Sequence, residues 1–126
     1  LEENQITGVI VDCAVEVHRT LGGPGLLESV YEEALVWELQ RRGLEVQRQV
    51  SLPIPYKDHV LATPLRIDLI VGGKVIVECK ATTKHNEIFE AQTLTYLRLT
   101  GLKVGLVLNF GERLVKNGVY RVVNGL

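Results

Sequence analysis

Asp68 and the triplet Glu78-Cys79-Lys80 are the residues of this chain best suited to chemistry. They are separated by nine residues and sit in segments 65–71 and 74–81, both too apolar for solvated loops and so expected to be buried strands. An unpaired buried ion is very costly. Three ionisable groups in such strands therefore need a partner, and a divalent cation held by two carboxylates supplies one.

Geometry makes a specific demand. Side chains alternate along a strand, so Glu78 and Lys80 share one face, roughly 7 Å apart. Asp68 joins them only if the hairpin at Gly72-Gly73 has the right loop. A two-residue loop pairs 71 with 74 and leaves Asp68 and Glu78 on opposite faces. A three-residue loop, 72–74, pairs 71 with 75 and sets Asp68 opposite Glu78. Glycines accept the positive φ of such a turn, and the three-residue loop is the expectation.

Two carboxylates and the Cys79 backbone carbonyl can hold Mg²⁺, with Mn²⁺ as a substitute, and leave positions for water and a phosphate oxygen. Such an ion lowers the pKa of bound water and screens charge developing on phosphorus. Lys80 is placed to orient the attacking water or stabilise phosphoryl oxyanions. The plainer alternative is a hairpin in which Glu78 and Lys80 only pair with each other.

Flanking helices carry further candidates. Glu28 and Tyr31 follow Gly25 at the start of one expected helix, and Gln92 and Tyr96 lie in another just after the hairpin. Spacings of three and four put each pair on one helical face. In this order, Gly-x-x-Glu-x-x-Tyr, Asp, Glu-x-Lys and Gln-x-x-x-Tyr, the chain resembles the GxxExxY proteins of the PD-(D/E)XK nuclease superfamily. The resemblance runs from about Ile6 to Val123. It includes 18–21 (His-Arg-Thr-Leu), Arg66-x-Asp68, 77–81, 91–97 and 105–110.

The resemblance implies a restriction-endonuclease-like core and Mg²⁺-dependent phosphodiester hydrolysis. It makes Asp68 and Glu78 metal ligands, Lys80 the catalytic lysine and Glu28 a helical acid assisting the metal. Gln92 and Tyr96 match a motif of RecB-like nucleases that supports the site and the substrate strand. Tyr31 is expected to pack its ring while its hydroxyl bonds within the site, and with Arg66 and Lys84 it completes the expected substrate contacts. One departure is an extra glycine in Leu21-Gly22-Gly23-Pro24-Gly25, which bears on how Glu28 enters the site.

At 126 residues one domain is expected, 1–126, too small for a separate specificity domain. No run of about 18 apolar residues and no charged-then-apolar leader occurs, so neither a membrane span nor a signal peptide is expected and the expected location is cytoplasmic. Cys13 and Cys79 read as core thiols. The net charge of −1 lacks the basic bias of tight DNA binders. It is unevenly spread, however: residues 1–40 carry eight acids and one base, and residues 41–126 carry thirteen bases and seven acids.

The remaining chain reads as α/β, a central mixed sheet flanked by helices in the order αα-βββ-α-β. Helices are expected over 6–21, with Ile6, Val9, Ile10, Cys13, Val17 and Leu21 as its apolar stripe, then to about residue 42, and over 86–100. Strands are expected over 44–54, 65–71, 74–81, 103–109 and 119–123, with a turn and short return strand in 56–64. His18 and His59 read as satisfied or solvated histidines, His85 as solvated or phosphate-facing, and Trp37 as core or interface.

The resulting expectation is hydrolysis of nucleic acid, DNA first, by metal-activated water. A catalytically idle nuclease-fold module that binds protein or nucleic acid is the alternative. A homodimer and a protein partner supplying specificity stay open.

Overall fold

The computed structural model describes residues 1–126. Helix α1, Glu3–Thr20, begins where Gln5 Oε1 accepts the Glu2 amide at 2.9 Å. Its buried residues Ile6, Ile10, Cys13, Ala14 and Val17 recur every three or four positions, the spacing that keeps one helical face on a core. Leu21 falls outside the expected stripe, because the helix has ended and the side chain is exposed. Helix α2, Glu28–Arg41, buries Tyr31, Leu35 and Leu39. It stops in a Schellman arrangement in which Leu44 N–H reaches Leu39 O at 3.1 Å and Gly43 N–H reaches Gln40 O at 3.0 Å.

The strands are β1 Val46–Leu52, β2 Pro55–Tyr56, β3 His59–Val60, β4 Leu65–Val71, β5 Val75–Lys80, β6 Val104–Asn109 and β7 Val119–Val123. Five form one sheet in the order β1-β4-β5-β6-β7, while β2 and β3 pair separately as a small exposed hairpin. That hairpin supplies the turn and short return strand expected in 56–64, with β3 pairing on β2 and not on the long strand β1. A 3-10 turn, Val115–Gly118, also precedes β7.

All sheet pairs are antiparallel except β5–β6, which α3, Ile88–Thr100, bridges as a parallel crossover. The central strands are the apolar ones, with all of β6 and five of the six β5 residues buried. Helices α1 and α2 cover one sheet face over Leu69, Val71, Val75, Val77 and Leu106. Tyr96 and Leu97 of α3 pack on Ile70 and Ile76 on the other. The architecture is the expected mixed sheet flanked by helices.

The β4–β5 loop has three residues. Val71 pairs with Val75, Ile70 with Ile76 and Leu69 with Val77. Gly72 and Gly73 take φ of 62° and 68°, and Lys74 N–H closes the turn on Val71 O at 3.1 Å. Both glycines lie in the left-handed region that disfavours a Cβ, which allows the tight odd-numbered connection.

His18 is a satisfied core histidine, as expected. It is buried, its Nδ1 accepts Val115 N–H at 3.2 Å, and its Nε2–H then donates to Phe110 O at 2.9 Å. It ties α1 to the end of β6 and to the turn before β7. His18→Ala is expected to destabilise the protein by about 2–4 kcal/mol, since two buried backbone groups lose partners and a cavity opens. Urea unfolding measures this; a change below about 0.5 kcal/mol would rule out the tie.

Candidate metal-binding site

The hairpin register carries Asp68 to a position across from Glu78, and the backbone locks the two carboxylates reciprocally. Asp68 N–H donates to Glu78 Oε2 at 2.8 Å, and Cys79 N–H donates to Asp68 Oδ2 at 2.9 Å. One oxygen of each group is thus held by a strand amide. Glu78 is buried and Asp68 half-buried. Burial raises both pKa values, that of Glu78 to about 8, and the Asp68 charge pushes Glu78 further in the same direction. Lys80 opposes the rise at both carboxylates.

Lys80 ends β5, where Phe110 N–H bonds its carbonyl at 2.8 Å. Its Nζ lies 4.7 Å from the Phe89 ring centroid and forms no ion pair with either carboxylate. The pairing of Glu78 with Lys80 alone, the plainer alternative for this hairpin, is therefore absent. Asn109, fully buried at the end of β6, braces the segment beyond Lys80. Its Oδ1 accepts Thr82 N–H at 3.0 Å and its Nδ2 donates to Thr82 O at 3.1 Å.

The helical candidates are placed unequally. Tyr96 is buried on α3, and its hydroxyl pKa is raised by burial and then by the Glu78 and Asp68 charges. Gln92, one turn earlier, is exposed and makes no hydrogen bond. Arg66 and Lys84 are exposed as well, with Arg66 two residues before Asp68 on the same strand. Tyr31 packs its ring as expected, while its hydroxyl bonds the loop before α2. It is fully buried, stacks on Phe110 at 4.7 Å, donates its hydroxyl to Gly23 O at 2.7 Å and accepts Leu26 N–H at 3.1 Å. That hydroxyl closes the loop before α2 and is spent on it.

Glu28 is exposed at the first turn of α2, without a hydrogen bond. The helical acid that the fold draws toward the pair is Glu32, four residues on and buried, whose charge raises the Asp68 pKa more than that of Glu28 does. Arg48 Nε donates to Glu32 Oε2 at 2.6 Å, and Gln49 Nε2 donates to both Glu32 oxygens at 3.0 Å. The same Gln49 amide lies 3.5 Å from Asp68 Oδ1. Gln49 reaches both carboxylates because it breaks β1: the β1–β4 ladder skips Gln49 and Asp68, and Gln49 has φ 53°. A non-glycine residue there is strained, and such strain collects at functional sites. Glu32 and Gln49 were not singled out from the sequence. A second acid one turn after Glu28 was the readable signal for the first, and nothing in the sequence marks the second.

No three Asp, Glu, His or Cys side chains stand close enough to hold a metal ion by themselves. The donor set nonetheless fits Mg²⁺, which is commonly bound by one or two carboxylates and fills its remaining positions with water and substrate phosphate. Burial raises the pKa of both carboxylates, and acidic neighbours raise each further (Asp68 acting on Glu78, Glu32 and Glu28 on Asp68), so the site gains from a cation.

No helix is long and apolar enough to cross a membrane. No curated protein and no solved structure matches the chain. The family model of the PD-(D/E)XK nuclease superfamily matches residues 4–122. That span takes in the three helices and the five-stranded sheet, save one residue at each end, and the paired acids with their lysine, and the chain belongs to the PD-(D/E)XK nuclease superfamily.

Proposed function

We propose that this protein, as a single domain over residues 1–126, hydrolyses a phosphodiester bond of nucleic acid, DNA in the first instance, with Mg²⁺ held by Asp68 and Glu78. The observation that carries the reading is the cross-strand pair of half-buried Asp68 and buried Glu78, with Lys80 two residues on. A hairpin needed only for folding has no use for two repelling carboxylates in its interior.

Asp68 and Glu78 would hold the ion, with the Cys79 carbonyl as a further backbone ligand. A divalent ion bound there lowers the pKa of a water and offsets phosphate charge. Lys80 places positive charge beside the scissile phosphate, where it orients the attacking water and stabilises developing oxyanion charge. Glu32, clamped by Arg48 and Gln49, holds Asp68 in place through the shared amide. Glu28 and Gln92 serve from the exposed helix faces, Tyr96 backs the pair from α3, and Arg66 and Lys84 meet the substrate backbone. Members of the GxxExxY group share this order of motifs, and the present chain fits among them.

Mn²⁺ titration by calorimetry, wild type against Asp68→Ala, tests the reading without a choice of substrate. Saturable binding lost at least tenfold in Asp68→Ala is expected, since one of two charged ligands is removed (about 1.4 kcal/mol or more). Cleavage of single- and double-stranded DNA and RNA then identifies the substrate. Equal titrations of the two proteins up to millimolar metal, together with no cleavage, would leave the idle binding module as the better description.

A further inference from the structure

Helices α1 and α2 leave a groove between them of about 400 Å³. Val17 lies at its base, Val30 and Trp37 line it, and Glu16, Glu33 and Glu38 also border it. None of these residues belongs to the carboxylate site. Trp37, the chain's only tryptophan, is 55% exposed. An apolar hollow with polar edges marks an interaction surface, and tryptophan is prominent among residues that anchor interfaces.

The edge chemistry selects the occupant. Glu16 pairs with Arg19, but Glu33 and Glu38 are in no ion pair. The nine residues lining the groove include three acids and no base. Phosphate-bearing partners, nucleic acid and anionic lipid alike, are repelled by such an edge. A second copy docked groove to groove would bring two like-charged edges together. Trp37 already takes the Arg41 guanidinium on its ring at 4.8 Å, so the ring accepts cations.

We propose that this groove docks a basic amphipathic segment of a partner protein, its apolar side chains against Trp37 and Val30 and its Lys or Arg residues against Glu33 and Glu38. The surface is separate from the carboxylate site, so the proposal holds whether or not that site cuts nucleic acid. Docking there is a means of recruitment that leaves the carboxylate site on β4 and β5 open.

Trp37 emission is the readout. The probes are a synthetic amphipathic helix of leucine and lysine and its leucine–glutamate counterpart, neither of which contains tryptophan. The leucine–lysine peptide is expected to give a saturable blue shift and the leucine–glutamate peptide none. Glu33→Lys with Glu38→Lys weakens binding by about tenfold or more, whereas Glu45→Lys with Asp58→Lys, an equal charge change on exposed positions elsewhere, leaves it within about twofold. Glu33→Gln with Glu38→Gln gives the same direction with less perturbation, should the lysine pair fail to fold by circular dichroism. Equal weakening by the two lysine pairs would reduce the effect to general charge attraction and overturn the proposal. So would the absence of any shift, or an emission change that follows protein concentration alone with a dimer mass by light scattering.

Discussion

Lys80→Ala is expected to slow cleavage at saturating Mg²⁺ by about 10²- to 10³-fold, on the order of 3–4 kcal/mol of transition-state stabilisation. The ammonium lies over the Phe89 ring and makes no ion pair with Asp68 or Glu78. Its charge is therefore not consumed by the ground state and is free to act on a phosphate. The same substitution is expected to tighten Mn²⁺ binding a few-fold, because Lys80 lowers the pKa of both carboxylates and so repels a cation bound between them. Opposite movements of rate and metal affinity separate a catalytic lysine from one that merely supports the fold, which would lower both. Phe89→Leu, which removes the ring beneath the ammonium, should cost about 0.5–1 kcal/mol, a few-fold in rate. Single-turnover cleavage and calorimetry on the three proteins decide it. Wild-type rates in Lys80→Ala would remove the lysine from the chemistry.

What the sequence made legible was whatever follows from side-chain parity and apolar runs. Gly72-Gly73 between two apolar runs, with acids at 68 and 78, demanded a three-residue loop, and Val71 does pair with Val75. The helix between the β5 and β6 runs was readable in the same way, whereas the parallel pairing of those two strands is what the structure adds. The site's helical side was harder to read. Glu28, Tyr31 and Glu32 lie within four residues on one stretch of α2, and the packing of Tyr31 on Phe110 decides which turn is drawn inward. That contact spans 79 positions of chain, and local spacing carries no information about it. The strand break at Gln49 was illegible for a different reason. Glutamine has no preference for φ 53°, and the amide contacts to Glu32 and Asp68 that accompany it join residues 17 and 19 positions apart.

The stability of the metal-free protein should fall as pH rises from about 4.5 to about 8, on account of Glu78. Unfolded, this carboxyl ionises near its ordinary value of 4.5. Folded, burial and then the Asp68 charge hold the proton on until about pH 8. The fold thus binds the proton more tightly, so protonation favours folding. That contribution is complete below the unfolded pKa and is lost as pH climbs through the folded one, amounting to a few kcal/mol at roughly 1.4 kcal/mol per unit. The Asp68 pKa is raised too, which adds a slope of the same sign. Glu78→Gln keeps an oxygen to accept the Asp68 amide but has no charge to bury. It should match wild type near pH 5 and exceed it by about 2 kcal/mol or more near pH 8.5. Saturating Mg²⁺ should reverse that order, because ion binding to the native state stabilises wild type by mass action and Glu78→Gln has lost half of the charged pair. Urea unfolding across this range, with and without Mg²⁺, tests both halves. Parallel pH profiles for the two metal-free proteins would show that Glu78 is not held protonated in the fold. A metal-independent gap would show instead that the buried pair carries strain without serving an ion.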